Sequence, residues 1–259
     1  MISRVKEIIN YKDMIFSLVK RELRGRYQKS ILGMFWTLLN PLFQIAIYTF
    51  VFMVIFKSNI ENYYVYLTAG MVPWTFFNEA VGQGASSVIN NGDMTKKIYF
   101  PREVLPIASV LAKFVNMLLA FIIVFAFIII GGVGVDLKII WILPLIWIQE
   151  FVLALGFTLI FSAITVYLRD MEYIVGVLMM AWIWGTPIMY SLDILPSNVV
   201  NLLKINPMTL IVSNYHDILY YKVLPNIDNM IIVTIEAFVI CIIGEIVFYK
   251  LEGGFAEEI

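Results

Sequence analysis

No charged residue occurs from Ile31 to Phe56, and a run of about 20 predominantly apolar residues is enough to cross a bilayer as a helix. Five further stretches qualify with differing clarity, near 65–90, 105–131, 140–168, 172–192 and 228–249. Inside hydrocarbon the backbone amides have no water to bond, so only helices and closed barrels cross it, and these runs lack the period-two alternation of barrel strands. The expected fold class is therefore all-α integral membrane, with six transmembrane helices and residues 1–259 forming a single transmembrane domain. Composition agrees: 61% of the residues are hydrophobic and 14% charged, against about 45–50% and about 25% in soluble domains.

Ahead of the first run, residues 11–28 form a basic amphipathic segment. Lys12, Lys20, Arg21, Arg24 and Arg26, followed by Lys29, surround an apolar stripe of Ile15, Phe16, Val19 and Leu23 at helical spacing, the pattern of a helix that lies on a membrane surface. Asn10 is placed to cap it, with Asp13 facing the free amides of the first turn. Thirty positions with charges of both signs precede the apolar run, unlike a cleavable signal peptide. The first span is expected to remain in the mature protein.

Lysine and arginine placement sets orientation. Apart from Lys57, Lys138, Lys204 and Lys222, every one lies before the first span, in or beside the loop between spans two and three, after span four, or after span six. Both termini are therefore expected in the cytoplasm.

The second stretch holds Gly70, Pro73, Glu79, Gly82, Gln83, Gly84, Ser86 and Ser87. Small residues let helices approach closely, and a carboxylate at membrane depth faces a bundle interior or water, so this helix belongs inside the bundle. Glu79 is open to two readings, a structural hydrogen bond or a substrate contact; Glu150, Glu236 and Glu245 pose the same choice. Residues 193–227 contain two apolar patches too short to span, separated by Asn206-Pro207, and are expected as short re-entrant or interfacial helices on the outer side. His216, without a second His or a Cys nearby in sequence, reads as an interfacial polar residue; Cys241, the single cysteine, reads as a small core residue. The loop reading NNGDMTKKIYFPREVLPIAS is either a solvated loop obeying the charge bias or a docking element for a cytoplasmic partner.

Several segments carry a resemblance: Tyr27-Gln28-Lys29-Ser30-Ile31-Leu32-Gly33, Trp36 with Asn40-Pro41, Lys97-Ile98-Tyr99-Phe100-Pro101-Arg102-Glu103-Val104-Leu105-Pro106, Arg169-Asp170, Asn206-Pro207 and Phe255-Ala256-Glu257-Glu258. In this order, over essentially the whole chain, they resemble the permease subunits of type-2 ABC exporters for cell-surface polysaccharides, the group that handles lipopolysaccharide O-antigen, capsule and teichoic acid. Gly253-Gly254 stands where tails of that group often carry a proline.

The resemblance implies a bacterial plasma (inner) membrane protein, a homodimer of this chain bound to two cytoplasmic ABC ATPase subunits, moving a lipid-linked polysaccharide. Residues 92–104 are then similar to a coupling helix, 11–28 to an interface helix and 194–221 to an extracellular gate. Candidate ATPase contacts are Lys96, Lys97, Ile98, Phe100, Arg102 and Glu103, with Lys20, Arg21, Arg24 and Arg26 on the interface helix. The chain has no G-x-x-x-x-G-K-[ST] phosphate loop, so ATP and magnesium are expected on the partner ATPase and no cofactor, metal or catalytic residue on this chain; nucleic acid is not an expected partner. Sugars present apolar faces edged by hydroxyls, which makes Tyr48, Trp74, Phe77, Trp182, Trp184 and Tyr190, with Glu79, candidates for the substrate path. Interfacial belts and core packing compete for the same aromatics. Two alternatives share some of these features: a type-2 permease for a drug or small lipid, and a membrane enzyme, which would want an acid–base cluster that the spacing of carboxylates and His216 does not supply.

Overall fold

The computed structural model describes residues 2–25 and 33–258. Helix α1 (Ile2–Asn10) meets α2 (Lys12–Gly25) at Tyr11, and α3 (Trp36–Phe50) continues through a π-turn, Val51–Ile55. There follow α4 (Tyr63–Gly84), α5 (Gly92–Lys97), α6 (Val104–Ile130), α7 (Leu143–Tyr167), α8 (Met171–Trp182), α9 (Ser197–Leu203), α10 (Pro207–His216), α11 (Ile227–Leu251) and α12 (Phe255–Glu258). No strand occurs among the described residues, as the amide argument requires.

Among the described residues four helical stretches are long and apolar enough to cross a membrane: Trp36–Ile55, Val104–Ile130, Ile140–Tyr167 and Ile227–Glu258. The other two expected spans have a different character. Helix α4 is long but rich in small and polar residues, and α8 with the turn after it, Met171–Gly185, is shorter. Its neighbours explain α4, which is packed on α3, α6, α7, α8 and α10, so its surface meets protein instead of lipid. Tyr63, Leu67, Ala69, Phe77, Ala80 and Val81 of α4 are fully buried.

Small residues set the closest crossings, as they do where helices cannot gain from hydrophobic transfer. A methyl group on Gly156 of α7 would lie 2.7 Å from the Cys241 amide nitrogen of α11, and one on Gly244 would meet the Gly156 carbonyl oxygen. These atoms are backbone and cannot yield by rotating a side chain. We expect Gly156→Val to destabilise the folded protein by about 3 kcal/mol, the upper range for overpacking, read as a lower midpoint of thermal unfolding in detergent; Gly176→Ala, where a methyl meets open space, should leave the midpoint unchanged.

The N-terminal expectation needs correction. Residues 2–10 are already helical, so Asn10 ends α1 and does not open α2. On α2 the buried side chains are Ile15, Leu18 and Val19, whereas Phe16, assigned to the stripe, is 68% exposed. Ile15 and Val19 belong to both sets and Leu23 packs against the same cluster; Leu18 takes the place assigned to Phe16 on the i, i+3, i+4 face that packs on α6.

Helices α1, α2, α5 and α12 gather at one end of the bundle. Arg4 Nε donates to Glu103 Oε1 at 2.7 Å, Arg4 Nη2 also pairs with Glu252, and Arg102 donates to the Glu252 carbonyl. Phe255 is buried against Phe248 and Tyr167, and Tyr167 Oη donates to the Leu251 carbonyl at 2.7 Å. At the other end Lys222 Nζ donates to Val133 O at 2.7 Å and Tyr220 Oη to Glu61 O at 2.6 Å. Lys222 thus lies at the end of the bundle opposite Arg4 and Arg102.

Candidate functional site

Three regions hold the residues singled out from sequence. The first is a tip at the end that carries α1 and α2. Helix α5 opens with Asp93 and closes with Lys96 and Lys97, each charge matched to the dipole of its own helix end. Thr95 Oγ1 donates to Asn91 O at 3.1 Å, Asn91 Nδ2 to Ser87 O at 2.8 Å, and Arg21 of α2 pairs with the Asn91 side chain. The chain then leaves the helix at Ile98, and the stretch down to Glu103 is not helical, since Pro101 removes an amide and biases Phe100 towards extended backbone.

Helix therefore covers 92–97 and not the whole of 92–104. Lys96, Lys97 and Ile98 project outwards, with Ile98 58% exposed. Phe100 is buried and Glu103 has no exposed side-chain surface, so neither is available to a partner in this structure. Arg102 is half-buried, with its guanidinium 5.8 Å from the centre of the Phe255 ring. Tyr99, at 87% exposure, is the residue sequence reasoning passed over; it follows Ile98 on the same projecting stretch. On α2, Lys20, Arg21 and Arg24 are exposed, and Arg26 lies outside the described residues.

The second region is a polar groove along α4. Thr75, Glu79, Gln83, Ser87 and Asn91 recur every fourth residue, so each neighbours the next in a row that winds along the helix and the turn that follows. One cavity of about 290 Å³ lies beside Thr75 and Glu79 and is also lined by Asn40 and Gln44 of α3 and by Lys113 and Asn116 of α6. A second, about 440 Å³, lies beside Gln83 and Ser87 and is lined by Arg21 and Glu22 of α2 and again by Lys113. Glu79 is thus half-buried on a polar surface inside the bundle. The four-residue repeat was present in the sequence as the signal for it.

The third region is the end opposite α5. Asn206 accepts from the Met208 amide at 3.0 Å as the cap of α10, and its oxygen also accepts from Trp182 Nε1 at 2.9 Å. Its amide donates to Gly185 O at 3.0 Å and to Thr186 Oγ1 at 3.1 Å. One side chain pins α10 to the turn after α8. Replacing Asn206 with Ala should lower stability by about 2 kcal/mol, a lost cap plus unpaired neighbours, whereas Asn206→Asp, which keeps the acceptor, should lose less; thermal unfolding of both variants checks this. His216 is buried, not interfacial: its ring stacks on Tyr66 at 3.9 Å, and Nε2 lies 3.1 Å from Tyr66 O. Nearby, Phe52, Phe56, Tyr190, Tyr220 and Tyr221 line an open cavity of about 720 Å³ with Asp193, Glu61 and Lys57 on its rim.

The seven path candidates do not share one surface. Trp74 and Phe77 are buried, and Trp182 is half-buried. Phe77 and Trp182 form an edge-to-face trio with Phe157, ring centres 5.3 to 5.9 Å apart; the candidates Trp74, Phe77 and Trp182 are packed into the core, the commoner role of aromatics in a bundle. Tyr48 is half-buried at the edge of the core and Trp184 is 60% exposed. Glu79 lines the groove and Tyr190 the outer aromatic cavity.

Comparison with known proteins agrees with this architecture. Residues 14–220 match the family described as ABC-2 type transporter. An "O-antigen export system permease protein RfbA" from Myxococcus xanthus is 30% identical over the full length of both chains. A protein of the same name from Klebsiella pneumoniae is also 30% identical, with 95% of this chain and 94% of that one covered. The "Polysialic acid transport protein KpsM" of Escherichia coli is 23% identical over 78% of this chain and 79% of its own. An all-helical bundle with several apolar spans, matched across four-fifths of its length, places this chain in the ABC-2 type transporter family.

Proposed function

We propose that this chain is the transmembrane subunit of an ATP-driven exporter that moves a lipid-linked polysaccharide from the cytoplasmic to the outer side of the plasma membrane. Relatives that cover nearly the whole chain bear the names of O-antigen export permeases. In this reading two copies of the chain and two cytoplasmic ATPase subunits form the exporter, both termini are cytoplasmic, and α4 and α8 complete a set of six crossings. Helices α9 and α10 are outer gate elements, and α2 is the interface helix.

The observation that carries the reading is the α5 tip. Lys96 and Lys97 beside exposed Ile98 and Tyr99 combine charge that fixes register with apolar contact that anchors. The ATPase docks there, with Phe100, Arg102 and Glu103 supporting the loop from within. Glycan passes the α4 groove and leaves by the aromatic cavity, where Tyr190, Tyr220 and Tyr221 offer ring faces for weak, repeated contact with a sliding chain. The chain contributes no ATP chemistry; the ATP and magnesium sites belong to the partner.

Purification from native membranes tests the assignment. A nucleotide-binding ATPase subunit is expected to accompany the chain in equal amount, and deletion of the chain should leave lipid-linked glycan accumulating inside the cell. A chain that purifies without any ATPase, from cells whose surface glycan is unaffected by the deletion, would contradict it.

A further inference from the structure

Lys113 of α6 is buried, and its Nζ donates to Glu22 Oε1 at 2.8 Å; the same oxygen accepts from Ser109 Oγ at 3.2 Å. Lys113 also stands at the junction of the two groove cavities, being common to both. A lysine at this depth needs a partner. The partner it has is unusual: Glu22 comes from the amphipathic helix α2, and its side chain remains 32% exposed. A carboxylate reaching in from a surface helix, held by an ammonium and a hydroxyl, occupies the position an exogenous anion would take. Arg21 lines the same cavity, with its guanidinium paired to the Asn91 side chain, so two cations and the one carboxylate of Glu22 border it.

We propose that this cavity is a subsite for the phosphate of a lipid headgroup, which displaces Glu22 from Lys113 and Ser109 and takes Arg21 as a second cationic contact. Phosphate oxygens accept from ammonium, guanidinium and hydroxyl groups at once, and basic pockets between transmembrane helices are places where anionic headgroups bind. The apolar walls favour a lipid over a free anion: Leu18 from α2 and Leu105 and Ala108 from α6 line the cavity beside the polar groups and would meet the first carbons of an acyl or prenyl chain. The inference deepens the exporter reading and rests on it for the cargo, since it makes the cavity the place where the lipid anchor of the glycan is held before crossing.

The test uses the full-length protein in nanodiscs of zwitterionic lipid, titrated with a polyprenyl monophosphate, with the corresponding polyprenol, and with inorganic phosphate as competitor. Saturable binding of the phosphorylated lipid is expected. Lys113→Met should weaken it about tenfold, the loss of one charge-assisted contact at about 1.4 kcal/mol. Glu22→Gln, which removes the competing charge and keeps the shape, should strengthen it about threefold. These opposite shifts distinguish a binding site from a folding defect. Equal affinity in all three proteins, or polyprenol binding as tightly as its phosphate, would overturn the proposal; so would displacement by millimolar inorganic phosphate, which would make the site one for a soluble anion. The titration needs neither ATP nor an ATPase, so a chain that purifies alone would defeat the exporter reading while leaving this result legible.

Discussion

Reversing both lysines at the α5 tip, Lys96→Glu with Lys97→Glu, is expected to abolish export while leaving the permease folded. Both side chains are exposed and carry no internal ion pair among the described residues, so the bundle does not depend on their charge. A docking surface does. Like charges brought together across an interface cost several kcal/mol, and each 1.4 kcal/mol is about tenfold in affinity, so a loss of ATPase association of about a hundredfold or more is the scale to expect. Reversal also sets two negative charges at the C-terminal end of α5, where the helix dipole disfavours them; Lys96→Gln with Lys97→Gln separates the two effects by neutralising without opposing. Export, ATPase activity in membranes and co-purification should all fall in the order wild type, neutral variant, reversed variant. A reversed variant that exports normally would move the docking surface away from this tip.

The second large effect is expected at Arg4, far from the tip in sequence and directly beneath it in space. Its guanidinium bonds Glu103 at 2.7 Å, pairs with Glu252 and lies 5.2 Å from the centre of the Tyr249 ring. Glu103 is fully buried, and its second oxygen has no partner among the described residues. Arg4→Met would leave that carboxylate buried without its cation, which costs about 3 kcal/mol or more, and should lower the unfolding midpoint at least as much as Gly156→Val and more than Asn206→Ala. Adding Glu103→Leu should recover most of the loss, because removing both members of a buried pair is often close to neutral. In export the double variant is informative in another way: if the pair only stabilises, activity returns with stability; if it also ties the docking loop to α1 and α11, the partner ATPase in the complex with the double variant hydrolyses ATP with little export. A single Arg4→Met variant as stable as the parent would refute the pairing.

Much of this architecture was legible in the sequence because bilayer physics leaves few choices. Four spans announced themselves by length and apolar content, and the small and polar residues of α4 placed it inside the bundle. Asn206-Pro207 marked the break between α9 and α10, since an Asn ahead of a Pro at the first helical position is a helix start. What could not be read depends on partners distant in sequence. Glu103 looked available for docking because its cation, Arg4, lies 99 positions away. Helix α1 was missed because its few apolar positions are interspersed with Arg4, Lys6 and Glu7, and the partners of Arg4, Glu103 and Glu252, lie far away in sequence. Phe77 and Trp182 were legible as aromatics but not as neighbours: one is on α4 and the other on α8, and Phe157 of α7 completes the cluster. Composition identifies a ring that could meet sugar; only the fold says whether the ring has already been used by the core.

The central claim is that the end of the bundle built from α1, α2 and the α5 tip faces the cytoplasm and grips an ATPase. Site-specific photocrosslinking in native membranes tests it most directly, with the photoreactive residue at position 99 on the tip and, separately, at position 204 between α9 and α10, both exposed. The account predicts a single strong adduct from position 99 to a nucleotide-binding subunit and none from position 204. An adduct to that subunit from position 204, with none from position 99, would contradict it.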